Sequence, residues 1–183
     1  MKIKKDLLEQ NPFTRPGYKL LSVSKIVLHY VQNPGTTARQ NVDWIKTLKN
    51  QDPLDDIDDH YASAHYFIDD KEIIQVIPED ERAYHVGANQ YTDFGLSISS
   101  YPNARTIGLE FCHPDKTGKP NYQTYKHIIE LCKYLCCKFK LDPKKDICLH
   151  YDITGKDCPK YYIKTPGEFY RLKVDVKNRM VNS

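Results

Sequence analysis

The sequence predicts an α/β fold: one domain with a central mixed β-sheet flanked by α-helices. Three observations carry this. Short apolar runs that read as buried strands alternate with longer stretches of helical apolar spacing, the pattern of a sheet covered by helices. Glycine and proline breakers separate these segments. The 183 residues are the length of one domain, and area scaling lets such a chain bury about 70% of its extended surface, so a core needs no disulfides.

Taken in order, residues 1–24 are a polar, loop-like lead-in with breakers at Asn11-Pro12 and Arg15-Pro16-Gly17, and the domain proper spans 25–183. KIVLHY at 25–30 is a buried strand, and Asn33-Pro34-Gly35 turns the chain. Thr36 or Thr37 caps a helix running to about Leu48, with Ala38, Val42, Ile45 and Leu48 on one face. The stretch 51–59 is acidic and holds a proline, which makes it a loop. Its five aspartates lack the turn glycine and final glutamate of a calcium loop. Residues 62–68 and 73–77 form a hairpin around Asp69-Asp70-Lys71-Glu72. Residues 79–105 are a long connection containing YHVG at 84–87, and loops of that length in a compact domain are usually functional. A strand follows at 106–112. The helix at 122–139 carries Tyr125, Ile128, Ile129, Cys132, Leu135, Cys136 and Phe139 at helical spacing. Residues 146–150 are a short strand. The last helix opens Thr165-Pro166-Gly167-Glu168, a capping box with proline at its first position, and has the stripe Phe169, Leu172, Val176.

Composition narrows the function. The chain is 40% hydrophobic and 28% charged, ordinary for a globular protein and wrong for disorder, collagen or coiled coil. No apolar run approaches the 18 or so residues of a membrane span. The start has basic residues but no apolar stretch behind them, so it does not read as a secretory signal. A net charge of +3, evenly spread, is too mild for a nucleic-acid partner. The six cysteines at 112, 132, 136, 137, 148 and 158 contain no CxxC and read as reduced thiols, Cys132 and Cys136 packing as small hydrophobes. HExxH, GxSxG, Walker and GxGxxG motifs are absent.

Two features carry chemistry. In HYDITGKDCP at 150–159, His150 closes a short strand and Cys158 follows eight residues later, beyond a glycine turn. Such a loop can return a thiolate to the histidine it left, and His29 meets them if its strand is a neighbour. Two imidazoles and one thiolate suit Zn²⁺ and leave a fourth position open; the competing reading is two hydrogen-bonded core histidines and an inert thiol. Glu110 lies inside an apolar strand, where alternation puts Ile107, Leu109 and Phe111 on one face and Gly108, Glu110 and Cys112 on the other. A buried carboxylate needs a partner, such as a metal-held water; the alternative is a strand face open to solvent. A Cys112–His113 nucleophilic pair is disfavoured because adjacent strand residues point to opposite faces.

These residues fall in a series: RPG at 15–17, IVLH at 26–29, TA at 37–38, SAHYFIDD at 63–70, IQVIP at 74–78, YHVG at 84–87, IGLE at 107–110 and HYDITGKDCP at 150–159. Together, over residues 11–163, the series resembles the zinc-dependent N-acetylmuramoyl-L-alanine amidases of the type-2 amidase and peptidoglycan-recognition fold. Phage endolysins and prophage-type cell-wall lytic enzymes (autolysins) are the nearest branch. The resemblance implies one catalytic Zn²⁺ on His29, His150 and Cys158, acid/base catalysis by Glu110, and an electrostatic helper at Lys156. It places His65 and His85 along a substrate groove, with Tyr84 as an aromatic wall where relatives carry tryptophan. Ala64 stands where some relatives have a catalytic tyrosine, so that role does not transfer. Cys158 replaces the aspartate of recycling amidases, which favours the lytic branch. The implied protein is a monomeric hydrolase with its zinc amidase domain at 25–183. It degrades bacterial peptidoglycan at the amide between N-acetylmuramic acid and L-alanine, with no nucleic-acid partner and no membrane insertion. It is expected to be made in the cytoplasm and to act at the cell wall after release. A non-catalytic peptidoglycan-binding module of the same fold is the alternative; such members lose zinc ligands, whereas this chain has all three.

Overall fold

A computed structural model describes residues 2–52, 54 and 59–181; of the expected acidic loop, 53 and 55–58 lie outside them. The elements run β1 (Ile3–Lys5), β2 (Lys25–Tyr30), α1 (Ala38–Thr47), β3 (Tyr66–Ile68), β4 (Ile73–Gln75), α2 (Asp93–Ile98), β5 (Thr106–Phe111), α3 (Tyr122–Phe139), α4 (Pro143–Asp146), β6 (Ile147–Leu149), α5 (His150–Thr154), α6 (Lys160–Lys164) and α7 (Pro166–Val181). One sheet has the order β1-β4-β3-β5-β2-β6. Only the β3–β4 hairpin is antiparallel, so β3, β5, β2 and β6 run the same way. Among the described residues, no helix is long and apolar enough to cross a membrane.

Alternation along the strands divides the sheet into two layers. Ile26, Leu28, Ile107, Leu109 and Phe111 pack against Ile128, Cys132, Leu135 and Cys136 of α3 and Leu172 and Val176 of α7. On the opposite face, Ala38, Val42 and Ile45 of α1 meet Phe67, Ile74 and Cys112. The face that holds Glu110 is therefore covered, not open to solvent. Thr37 caps α1 reciprocally with Gln40, and Asn121 caps α3 through the Thr124 N–H.

Four expectations are corrected. The lead-in is not only loop. Ile3–Lys5 pairs parallel with β4, Leu8 and Phe13 are buried, and Arg15 forks onto both oxygens of Glu81 at 2.8 and 2.9 Å. The hairpin strands are shorter than expected, although Val76 N–H still bonds His65 O at 2.9 Å. The 79–105 connection contains α2 and a 3₁₀ turn at Pro102–Ala104. Asp146 ends α4 and His150 opens α5, leaving only Ile147–Leu149 as strand. Helices of four to six residues span fewer than two turns and show no full apolar period.

Candidate metal centre and active site

The sheet register assembles the site. His29 pairs with Glu110 across β2 and β5, and Leu28 pairs with Leu149 across β2 and β6. His150, one residue on, therefore arrives beside His29. All three lie at the carboxyl ends of adjacent parallel strands, where parallel sheets present their ligand sites. Gly155, at φ 77°, ends α5 in the left-handed conformation that glycine adopts without strain. The chain then doubles back, and Tyr151 N–H bonds Cys158 O at 2.9 Å. This return brings Cys158 Sγ to 3.9 Å from His29 Nδ1.

One donor atom from each of His29, His150 and Cys158 lies within 4.8 Å of the others, and all three residues are buried. His29 Nδ1 and His150 Nδ1 are 3.0 Å apart. A tetrahedral zinc with nitrogen at about 2.0 Å and sulfur at about 2.3 Å spaces its donors about 3.3 and about 3.5 Å apart. The His29–His150 and Cys158–His29 spacings, 3.0 and 3.9 Å, lie close to those values. Burial, with neighbouring histidines and Lys156, holds His29 well below the usual histidine range. Burial, then Lys156, lowers His150 to about 4. Both imidazoles are thus neutral at pH 7, the form that ligates metals. Burial and the Glu110 carboxylate push the Cys158 thiol up to about 12, against a hydrogen bond from the Tyr30 backbone and the charge of Lys156. A bound cation reverses that shift by favouring the thiolate.

A cleft of about 460 Å³ opens over this cluster, bordered by Tyr30, Glu110, Lys156, Tyr84 and His85. Glu110 Oε2 is sealed from solvent and has no hydrogen-bond partner among the described residues. Burial raises this carboxyl to about 7, opposed by Lys156. Lys156 is exposed and stands two residues before Cys158. Tyr84 forms part of the cleft wall, edge-on to Tyr61 at 6.0 Å.

Of the two expected groove histidines, His85 borders the cleft and His65 does not. His65 is fully buried and does not border the cleft. Gly108 N–H donates to its Nδ1 at 3.0 Å and its Nε2 donates to Glu81 O at 2.9 Å. It is a brace between strands, and desolvation takes its pKa to about 4. His85 borders the cleft but is 7% exposed, and both its ring nitrogens are engaged within the protein. Sequence reasoning missed Trp44 and Tyr61, which line the cleft while more than half exposed, at 53% and 55%. The available signal was the chain's single tryptophan, off the apolar stripe of α1.

The chain is similar to known proteins in sequence and fold. Residues 19–161 match the profile of the Amidase_2 family, described as N-acetylmuramoyl-L-alanine amidase. The chain is 37% identical over 177 residues to the N-acetylmuramoyl-L-alanine amidase BlyA of Bacillus subtilis (strain 168), covering 93% of this chain and 45% of that protein. It is 34% identical over 183 residues to the N-acetylmuramoyl-L-alanine amidase CwlL of Bacillus licheniformis, covering 96% of this chain and 47% of that protein. The chain thus spans about half the length of these relatives. Its fold matches the catalytic domain of XlyA with a TM-score of 0.73 at 23% identity, over 96% of this chain and 99% of that domain.

Proposed function

Because the chain belongs to the N-acetylmuramoyl-L-alanine amidase family, we propose that it hydrolyses peptidoglycan at the amide joining the lactyl group of N-acetylmuramic acid to L-alanine. One zinc ion is held by His29, His150 and Cys158. The observation that carries the reading is the buried His29–His150–Cys158 cluster in register with Glu110, a carboxyl whose Oε2 has no partner among the described residues.

When bound, zinc lowers the pKa of water towards ~7 and polarises a carbonyl. The remaining work falls to side chains. His29 and His150 bring no charge and Cys158 brings one, so the centre keeps a formal charge of +1. Glu110, poised near neutrality by burial, takes a proton from the attacking water and returns one to the leaving nitrogen. Lys156, carried by the same loop as Cys158, faces the oxygen on which negative charge develops; such a group contributes about 3 kcal/mol by oxyanion-hole precedent. Trp44, Tyr61 and Tyr84 offer aromatic surface to the glycan or stem peptide. In this reading the catalytic unit is 25–183, braced by the lead-in through β1 and Arg15, and the protein acts at the bacterial cell wall.

The test is digestion of purified peptidoglycan with mass analysis of the new ends. Free L-alanine amino termini paired with intact lactyl carboxylates are expected. New reducing sugar ends, or cleavage within the stem peptide, would replace this reading with a glycosidase or peptidase.

A further inference from the structure

The geometry points to Thr106 and His85 as positioning residues that fix His29 in the tautomer able to offer Nδ1 to a metal. The inference rests on the metal reading above and extends it from the ligands to a buried relay behind one of them.

Hydrogen-bond direction decides the relay. Thr106 Oγ1 lies 2.9 Å from Pro102 O, a carbonyl that can only accept, so the single hydroxyl proton goes there. The same Oγ1 lies 2.9 Å from His85 Nε2 and, with its proton committed, must accept from it. His85 therefore carries its proton on Nε2. A neutral imidazole carries one proton, so Nδ1 holds a lone pair. That lone pair faces His29 Nε2 at 3.0 Å, which must then be the protonated nitrogen of His29. The other nitrogen, Nδ1, is left with its electron pair directed at His150 Nδ1 and Cys158 Sγ.

Two further features hold the relay in place. Asn103 Oδ1, itself buried, accepts both the His85 and the Val86 backbone N–H, at 3.2 and 3.0 Å. The His85 ring occupies the space above Gly108, where an added Cβ would sit 2.6 Å from its Cγ. Glycine in the middle of an apolar strand thus makes room for the ring. His150 has no comparable support, because its Nε2 is buried without a partner among the described residues. The relay is specific to His29, and it accounts for His85 being turned inward although it borders the cleft.

The experiment uses ¹⁵N-histidine NMR on the metal-free protein and zinc affinity by chelator competition. Both are measured on the parent, Thr106→Ser, Thr106→Val and Gly108→Ala, with melting curves for each. Metal-free parent and Thr106→Ser should show His29 protonated on Nε2, with zinc affinities within about threefold of each other. Thr106→Val removes the acceptor for His85 Nε2–H. The His85 proton then moves to Nδ1, where it donates to His29, and His29 takes its own proton on Nδ1. Zinc affinity should fall about 10–100-fold, the usual cost of losing an outer partner of a ligand. Gly108→Ala, which displaces the His85 ring without touching Thr106, should weaken zinc in the same direction. His29 protonated on Nδ1 in the parent overturns the relay without recourse to any variant. So does zinc binding by folded Thr106→Val within twofold of the parent. A parent with the stated tautomers that takes up no zinc overturns the metal reading instead, and with it the purpose assigned to the relay.

Discussion

On one face of β5, Ile107, Leu109 and Phe111 meet α3 and α7 in an apolar layer, while the other face of the same strand presents Gly108 to His85 and sets Glu110 beside His29. Six consecutive residues therefore serve two ends. The apolar layer stabilises the fold by burial, at about 25 cal/mol per Å² of apolar surface removed from water. The polar layer keeps four histidines and a carboxyl oxygen out of solvent. Burial displaces each titrating group towards its neutral form: His29, His65, His85 and His150 downward, Glu110 and Cys158 upward. One strand thus holds a desolvated cluster of neutral titratable groups on one face and an apolar core on the other.

The comparison can be tested from either face. The largest effect is expected at Cys158. Cys158→Ser should weaken zinc and abolish amide cleavage; full activity in a metal-free Cys158→Ser protein would refute the ligand assignment. Glu110→Gln keeps the shape but cannot accept a proton. Its turnover should fall about 10²–10⁴-fold with zinc retained, and turnover within a few-fold of the parent would remove Glu110 as the base. The same variant carries a stability sign. Burial raises the Glu110 pKa, so ionising it opposes folding. The penalty is absent below its ordinary value of 4.5, develops as pH rises to about 7 and is constant above that. Metal-free Glu110→Gln should thus match the parent in melting temperature at pH 4 and exceed it at pH 8.

Lys156→Met should retain zinc and lose about 10²-fold in rate, the equivalent of about 3 kcal/mol at the transition state. On the apolar face, Leu109→Ala should cost about 2–5 kcal/mol of stability and leave turnover per folded molecule unchanged. A selective loss of rate there would mean that the two faces are coupled. The smallest effect concerns thiol access. Cys137 is exposed on α3, and the other five cysteines are buried and free. Native protein should show one fast-reacting thiol, and denatured, metal-stripped protein six.

The elements legible in the sequence were those with a full period. The apolar run of β2, the alternation of β5, the 18-residue helix α3 and the Thr37 cap all declare themselves locally. The edge strand β1 does not, because three residues, IKK, of which two are exposed, carry no pattern; parallel pairing with β4 is what makes them a strand. At the site, the meeting of His29, His150 and Cys158 beside Glu110 was readable because each breaks its surroundings: histidines ending strands, a cysteine after a glycine turn, an acid among apolar residues. The inward hydrogen bonds of His65 and His85 were not. Whether a histidine faces a cleft or the interior depends on which nitrogen finds a partner, and Gly108, Glu81 and Thr106 are distant in sequence from the rings they fix. Trp44 and Tyr61 join the cleft only once α1 and the segment before β3 are packed together.

The central claim is a three-ligand metal centre at the carboxyl ends of β2 and β6, closed by the loop that carries Cys158. Metal analysis with X-ray absorption at the zinc edge of the purified protein tests it most directly. The account predicts about one zinc per chain, with two imidazole nitrogens at about 2.0–2.1 Å and one sulfur at about 2.3 Å, the sulfur vanishing in Cys158→Ser. A sulfur-free shell in the parent, or protein that retains no zinc after purification in its presence, would contradict it.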